Sequence, residues 1–312
     1  MPMVRRRKEN QERKDHLNKE IKNFIIFLYN KMPIKIPDGI HTPKTTFQGS
    51  PFFNVIVMYY LSHKYDDVCV ILSEPYKTDD NKNIHWLEND KDHKHDEACV
   101  LLPKKINDIP YYQNEISLRW NEKKKCITVP GEQKKFWETF SKCDSKRFIV
   151  FPFGYDCVDS GHAGYCLYDK KEKSLERFES YGVINDDKKC LNPPKLDKEI
   201  QKLFKKNLGE DFISEYYSPS KYSLVNSFQT LQEEEGEKLE LSGFCACWCA
   251  FWVELRLLNP DIDRKELLRL AIKKLLKIKK EKGISLTQFI RNYSGVIVYV
   301  SDEIKKMYNK KV

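Results

Sequence analysis

The run from residue 246 to 258 constrains this chain more than any other. It is apolar nearly all round, which marks a helix buried on every face at the centre of a domain. Asn259-Pro260-Asp261 stops it, because proline cannot continue a helix. Directly upstream stand Gly243, Phe244 and Cys245, a glycine turn followed by a cysteine at the helix start. A helix N-terminus carries partial positive charge that lowers a thiol's pKa, and the thiolate is the nucleophilic form. Gly243 turns the chain tightly and leaves room for another backbone to approach. Cys247 and Cys249 read as core residues.

Strand-like segments precede this helix. Residues 147–153, 163–169 and 174–179 read as three strands, the last two joined by a lysine-rich hairpin turn. Residues 196–208 read as a helix with Ile200, Leu203 and Phe204 on one face, and 212–217 as a fourth strand. An acidic loop, 232–240, leads to the Gly-Phe-Cys turn. After the buried helix come a basic helix (264–280), a short helix introduced by Ser285, and a strand-like stretch, 295–300. The expected fold is α+β, an antiparallel sheet packed against a central helix that bears Cys245.

The N-terminal part reads differently. Residues 4–32 repeat Leu17, Ile21, Phe24, Ile25 and Leu28 at helical spacing, until Pro33, Pro37 and Pro43 break the pattern. A second apolar segment covers 49–62, and a polar tract, 77–97, reads as a loop. A soft boundary near 110–130 separates an accessory region, 1–110, from a domain, 111–312, that holds the chemistry.

No apolar run approaches the roughly 18 residues of a membrane span. The basic N-terminus lacks the apolar core of a secretory signal, so the expectation is a protein that is not secreted. Ten cysteines form no disulfide framework, and Cys69, Cys157 and Cys166 lie in or beside apolar strand-like segments as small hydrophobes, which fits a reducing compartment. Of the net charge of +9, residues 261–312 supply +8, with 14 Lys/Arg against 6 Asp/Glu. That segment is either a solvated helix face or a surface for a polyanion such as DNA.

The residues that carry chemistry stand in a fixed order. His162 sits between Gly161 and Gly164 just before a strand, which places its ring at a strand end. Glu179 follows 17 residues on, at the end of the paired strand, so a hairpin brings it beside His162 to orient the ring. Gln229 comes next and offers a side-chain amide to an oxyanion, together with the backbone N–H of Cys245. Gln232 is the alternative donor. Histidine, acid, glutamine and cysteine are the parts of a cysteine peptidase, in which imidazolium stabilises the thiolate and then protonates the leaving amine. A zinc site is rejected: Cys245, Cys247 and Cys249 are two apart, and on a helix Cys247 points away from the others. His93 and His95 have no cysteine pair nearby, and no cofactor is called for.

These residues resemble the clan of SUMO (ubiquitin-like) proteases and adenovirus protease, whose order is His, Asp/Glu/Asn, Gln, Cys. The spacing from His162 to Glu179 is similar to that of the SUMO proteases. A closer likeness is to the polyprotein-processing thiol proteases of large cytoplasmic DNA viruses, such as those of African swine fever virus and the mimivirus-like branch. There Gly-Tyr/Phe-Cys-x-x-Trp leads into a helix with Glu-Leu-Arg and Asn-Pro, as in Glu254-Leu255-Arg256 and Asn259-Pro260 here. The resemblance covers roughly residues 145–260, and the Lys/Asn/Ile-rich composition suits such genomes. Departures are Phe244 where an aspartate is usual, Ala163 where a tryptophan often follows the histidine, a long segment from Gln229 to Cys245, and Glu179 in place of Asp.

The resemblance implies cleavage of Gly-Gly-X or Gly-X bonds in a narrow groove, in viral structural polyproteins, within infected cytoplasm and the virion. The alternative within the class is removal of SUMO or ubiquitin. It also implies DNA as an optional partner, since the adenovirus relative uses DNA as a cofactor. The reading from another class is a basic nucleic-acid- or virion-binding protein with a decayed protease fold, motivated by Arg5-Arg6-Arg7-Lys8 and the C-terminal lysines.

Overall fold

A computed structural model describes residues 51–71, 105–106, 109–110, 118–121, 126–128, 133–143, 145–156, 161–183, 193–236 and 244–309. The features expected at 4–32 and 77–97, and at Cys157 and Gly243, lie outside these residues.

The elements in order are α1 (Pro51–Lys64), β1 (Val68–Val70), β2 (Lys105–Ile106), β3 (Ile109–Pro110), β4 (Leu118–Asn121), β5 (Cys126–Thr128), α2 (Gln133–Lys142), β6 (Phe148–Asp156), β7 (Gly161–Asp169) and β8 (Ser174–Phe178). Then come α3 (Pro193–Leu208), a short 3-10 turn, β9 (Glu215–Tyr217), α4 (Pro219–Tyr222), α5 (Phe228–Glu233), α6 (Cys245–Leu258), α7 (Arg264–Lys282) and α8 (Leu286–Asn309). Among the described residues a seven-stranded sheet runs β5-β4-β6-β7-β8-β9, with β1 also paired to β6.

The architecture is α+β, as the sequence implies, but the sheet is mixed. The antiparallel pairs β6–β7 and β7–β8 form its middle. On the flanks β1 and β4 run parallel to β6, and β9 runs parallel to β8. Parallel neighbours need a crossover, and α3 supplies the one between β8 and β9.

Both faces of this sheet are buried, which explains strands that read as continuous apolar runs. Along β6 the pleat sends Phe148 and Val150 to one core and Ile149, Phe151 and Phe153 to the other. On β7, Tyr165 and Leu167 face the first core, Cys166 and Tyr168 the second. The second core is closed by α2 and α3 through Phe136, Phe140, Ile200 and Phe204. The first is built on α6, whose buried residues run unbroken from Cys247 to Leu257, with α1, α7 and α8 around it. Trp252 stacks between Phe178 (5.0 Å) and Tyr222 (5.7 Å) and fixes α6 to the sheet.

Buried carboxylates lock the helices in place. Glu176 on β8 accepts the indole N–H of Trp252, Nε of Arg256 at 3.1 Å and Nε of Arg264 at 2.7 Å. Arg256 also donates to the carbonyls of Asn259 and Ile262, so the Asn-Pro stop of α6 is held by its own last turn. Glu254, fully buried, accepts Lys64 and the hydroxyls of Tyr60 and Tyr65 on Oε1, and the hydroxyl of Tyr293 on Oε2. The Glu-Leu-Arg and Asn-Pro residues of the viral resemblance therefore act here as fasteners among α1, α6, β8, α7 and α8.

Three expectations change. The strand-like 295–300 lies within α8: its β-branched residues favour a strand locally, but Leu286, Ile290, Tyr293, Ile297 and Val300 fall at helical spacing and are all buried, and that packing decides. The segment 212–217 divides into a 3-10 turn and the short β9. Cys69 is joined to Cys143 in a disulfide and is not a free thiol, whereas Cys166 is buried and free.

Upstream of the boundary near residue 110, α1 and β1 belong to the core of the downstream domain. Ile56, Val57, Met58, Tyr60 and Leu61 are buried in the same cluster as α6, and β1 is hydrogen-bonded to β6.

Candidate active site

The hairpin β7–β8 brings the histidine and the acid together. Tyr165 pairs with Phe178, and the same register carried past the strand end sets Glu179 and Tyr181 level with the start of β7, where His162 stands. His162 Nε2 lies 2.6 Å from Glu179 Oε1. Glu179 is almost fully buried, and its Oε1 also accepts the backbone N–H of Tyr181 at 3.3 Å. Its Oε2 has no partner among the described residues.

Cys245 opens α6, whose first turn has no side-chain cap at Phe244. Its N–H groups and the positive end of the helix therefore act at the sulfur. Cys245 is hydrogen-bonded to His162 and to the backbone N–H of Ala163. Cys249, one turn on, sends its thiol to the carbonyl of the same Ala163 at 3.6 Å. The hydrogen-bonded chain thus runs Cys245, His162, Glu179.

Electrostatics follow the geometry. Burial pushes the Cys245 thiol up, but the charge of His162 and its hydrogen bond outweigh that and leave it lowered. Burial pulls His162 down, and the charges of Glu179 and Cys245 raise it to about 10. Burial likewise raises Glu179, and the His162 charge overcomes that and lowers it. All three shifts favour thiolate, imidazolium and carboxylate together. Cys247 and Cys249 go the other way, since burial raises both thiols well above the ordinary value. Cys247 is turned towards Ser294, away from the face that carries Cys245 and Cys249. Among the described residues no group of three or more His, Cys, Asp and Glu is arranged to hold a metal.

The two glutamines differ in what they bind. Gln229 is buried and fully engaged: its Oε1 accepts Ser180 Oγ at 2.7 Å, and its Nε2 donates to Tyr181 Oη at 2.8 Å and to Glu233 Oε1 at 3.3 Å. Both ends of its amide are bonded to the turn after β8 and to α5. Gln232 accepts the indole N–H of Trp248, three residues after Cys245, at 2.8 Å on Oε1. Its buried Nε2 has no partner among the described residues.

Sequence reasoning missed Tyr181. Its ring centroid is 5.4 Å from that of His162, and its hydroxyl donates to Glu233 Oε1 at 2.6 Å. The available signal was its position two residues beyond Glu179, which returns it to the face of the hairpin where His162 lies. Gly182 comes next with φ 92°, and a Cβ there would sit 2.3 Å from the carbonyl oxygen of Leu224, so only glycine fits this close approach.

No protein-family model matches the chain. Over 291 residues, 91% of its length, it is 24% identical to the putative ankyrin repeat protein L371 of Acanthamoeba polyphaga mimivirus. The chain spans about a third of that relative, 35% of its length. Solved structures similar to it include the Chlamydia abortus effector ChlaDUB (11% identity, TM-score 0.32, 78% of this chain and 98% of that one). ChlaDub1 of Chlamydia trachomatis is another (9%, TM-score 0.34, 87% and 94%). The SUMO protease Ulp1 is a third (10%, TM-score 0.30, 91% and 95%). These scores are too low to carry a shared fold, so the reading of the site rests on its own geometry. No helix among the described residues is long and apolar enough to cross a membrane.

Proposed function

We propose that the chain is a cysteine endopeptidase. Cys245 attacks the scissile carbonyl as a thiolate, His162 protonates the leaving amine and then activates water, and Glu179 holds the imidazole in register. The observation that carries this reading is the hydrogen-bonded chain Cys245–His162–Glu179 at an uncapped helix N-terminus. For the oxyanion we assign the backbone N–H of Cys245 and the side-chain amide of Gln232, because Gln232 Nε2 is unengaged among the described residues and Gln229 Nε2 is not.

The substrate is a polypeptide with glycine before the scissile bond, a reading that rests on the resemblance of the motifs. Viral structural polyprotein maturation, in infected cytoplasm and the virion, is the first role. Removal of ubiquitin or SUMO from a conjugate is the second, and one observation favours it: the viral relative is described as an ankyrin repeat protein, and such repeats form partner-binding surfaces. A peptidase unit joined to a recruiting array suits cleavage of a captured partner.

The test is to incubate the chain and its Cys245→Ala variant with Gly-Gly-X peptides and with intact ubiquitin and SUMO fusions. Cleavage of peptides that is lost in Cys245→Ala supports the polyprotein reading, and cleavage of fusions alone supports the deconjugating one. If nothing is cleaved and Cys245 alkylates like an ordinary thiol, the peptidase reading fails. The DNA-binding alternative is then the one to test: salt-dependent binding that survives Cys245→Ala supports it.

A further inference from the structure

We propose that Tyr181 is a positioning residue for His162, its ring set against the imidazole and its hydroxyl anchored by Gln229 and Glu233. The inference rests on the peptidase reading above and adds a residue to its machinery.

Tyr181 touches both members of the histidine–acid pair. Its backbone N–H reaches Glu179 Oε1 at 3.3 Å, and its ring lies 5.4 Å from the imidazole at an interplanar angle of 37°. A tyrosine ring presents a negative face, so it favours imidazolium over neutral imidazole beside it. A ring alone does not fix an angle; the hydroxyl does. Tyr181 Oη donates to Glu233 and accepts from Gln229, while Gln229 also donates to Glu233, which closes a three-membered hydrogen-bonded ring.

The main chain of the same turn is clamped to α5 as well. Thr230 Oγ1 donates to the carbonyl of Tyr181 at 2.9 Å, and the Gln229 N–H donates to that of Ser180 at 3.0 Å. These bonds hold the turn to α5 through both its main chain and its side chains. They act on the one aromatic ring of that turn, and that ring faces His162. The charged groups that act on the imidazole are Glu179 from the turn and Cys245 from α6; Arg177 of β8 acts on Glu179, and Glu233 reaches the site through Tyr181.

The test reads the ion pair without a substrate. The rate of iodoacetamide alkylation at Cys245 is followed by mass spectrometry against pH, beside thermal melting, in wild type, His162→Ala, Tyr181→Phe, Tyr181→Ala and Glu233→Ala. Tyr181→Ala should slow alkylation near pH 6 about tenfold, the equivalent of a rise of about one unit in the thiol pKa. Tyr181→Phe keeps the ring and Glu233→Ala keeps the tyrosine, so each should fall between wild type and Tyr181→Ala, with melting close to wild type. The proposal is overturned if the Tyr181→Phe and Glu233→Ala profiles superimpose on that of wild type, since the anchor then sets nothing at His162. If instead wild type and His162→Ala share an ordinary thiol profile, no ion pair exists and the peptidase reading falls with it.

Discussion

Trp248 donates its indole N–H to Oε1 of Gln232 at 2.8 Å, and that bond fixes which end of the amide is left over. With Oε1 held by an indole of the helix that Cys245 begins, Nε2 is the end left without a partner among the described residues. Gln232→Ala should therefore lower kcat by about 10²–10³ with KM little changed, the signature of a donor that acts mainly in the transition state. Gln229→Ala should cost about tenfold or less, through the loosened turn at Ser180 and Tyr181. Steady-state kinetics on any cleaved substrate decide, and the reverse ranking would return the oxyanion role to Gln229.

The pH dependence arises from three shifts. Glu179 and Cys245 are lowered, so their contributions are present above the unfolded values, about 4.3 and 8.5, and are lost as pH falls through the lower folded values. His162 is raised to about 10, so its contribution is complete below about 6.5 and is lost as pH rises through about 10. Cys245 should thus alkylate rapidly at pH 6 to 7, where a free thiol near 8.5 reacts slowly, and His162→Ala should remove that low-pH reactivity. The melting-temperature difference between wild type and His162→Ala should shrink as pH passes about 10. A wild-type rate that rises only near the ordinary thiol pKa would contradict the thiolate assignment.

Glu179→Gln separates charge from hydrogen bonding. The amide oxygen can still accept from Nε2 of His162, so the geometry survives, but the carboxylate that favours imidazolium is gone. Catalysis should fall about 10²–10⁴-fold, as when a triad acid is made neutral, and melting temperature should fall as well at neutral pH, because the stability contributed by the paired carboxylate is lost and the His162 charge loses its partner. Activity near wild type would mean that His162 needs no acid.

Gly182→Ala should be more damaging than its chemistry suggests. The residue has φ 92°, and an added Cβ meets the Leu224 carbonyl oxygen at 2.3 Å. Left-handed backbone strain alone costs about 1–2 kcal/mol for a non-glycine residue, and the backbone clash adds to it. Because Gly182 comes directly after Tyr181, kcat/KM and melting temperature should fall together. A variant with a wild-type melting curve would show that the turn is not held against Leu224 in solution.

The order of His162, Glu179 and Cys245 was legible because each sits where sequence pattern is strong: a strand start, a strand end, the start of an apolar helix. The hairpin and the central helix were readable for the same reason. Side-chain direction is set by partners far away in the chain, which is why Gln229 and Gln232 were not separable: Tyr181 and Ser180 claim one, Trp248 the other. The mixed sheet was hidden because β1 and β4 are short and reach β6 only across long connections. The run from Gly295 to Val300 was misread because its β-branched residues dominate any local reading, while the helical stripe they extend begins nine residues earlier, at Leu286.

The place of α1 leads to the last prediction. A chain trimmed to 111–312, the unit suggested by composition, should not fold. It lacks Ile56, Val57, Met58, Tyr60 and Leu61, all buried against the core built on α6. At about 1.5–3 kcal/mol for each buried side chain, their loss rivals the whole of a typical stability of about 5–15 kcal/mol. Trimming also removes Lys64, Tyr60 and Tyr65, which leaves Tyr293 as the remaining side-chain donor to the fully buried Glu254 among the described residues. A buried carboxylate stripped of its cation is strongly destabilising. Circular dichroism and limited proteolysis of 111–312 should therefore show an unfolded chain, whereas one that begins before α1 melts cooperatively. A cooperative transition in 111–312 would instead make the first 110 residues a true accessory unit.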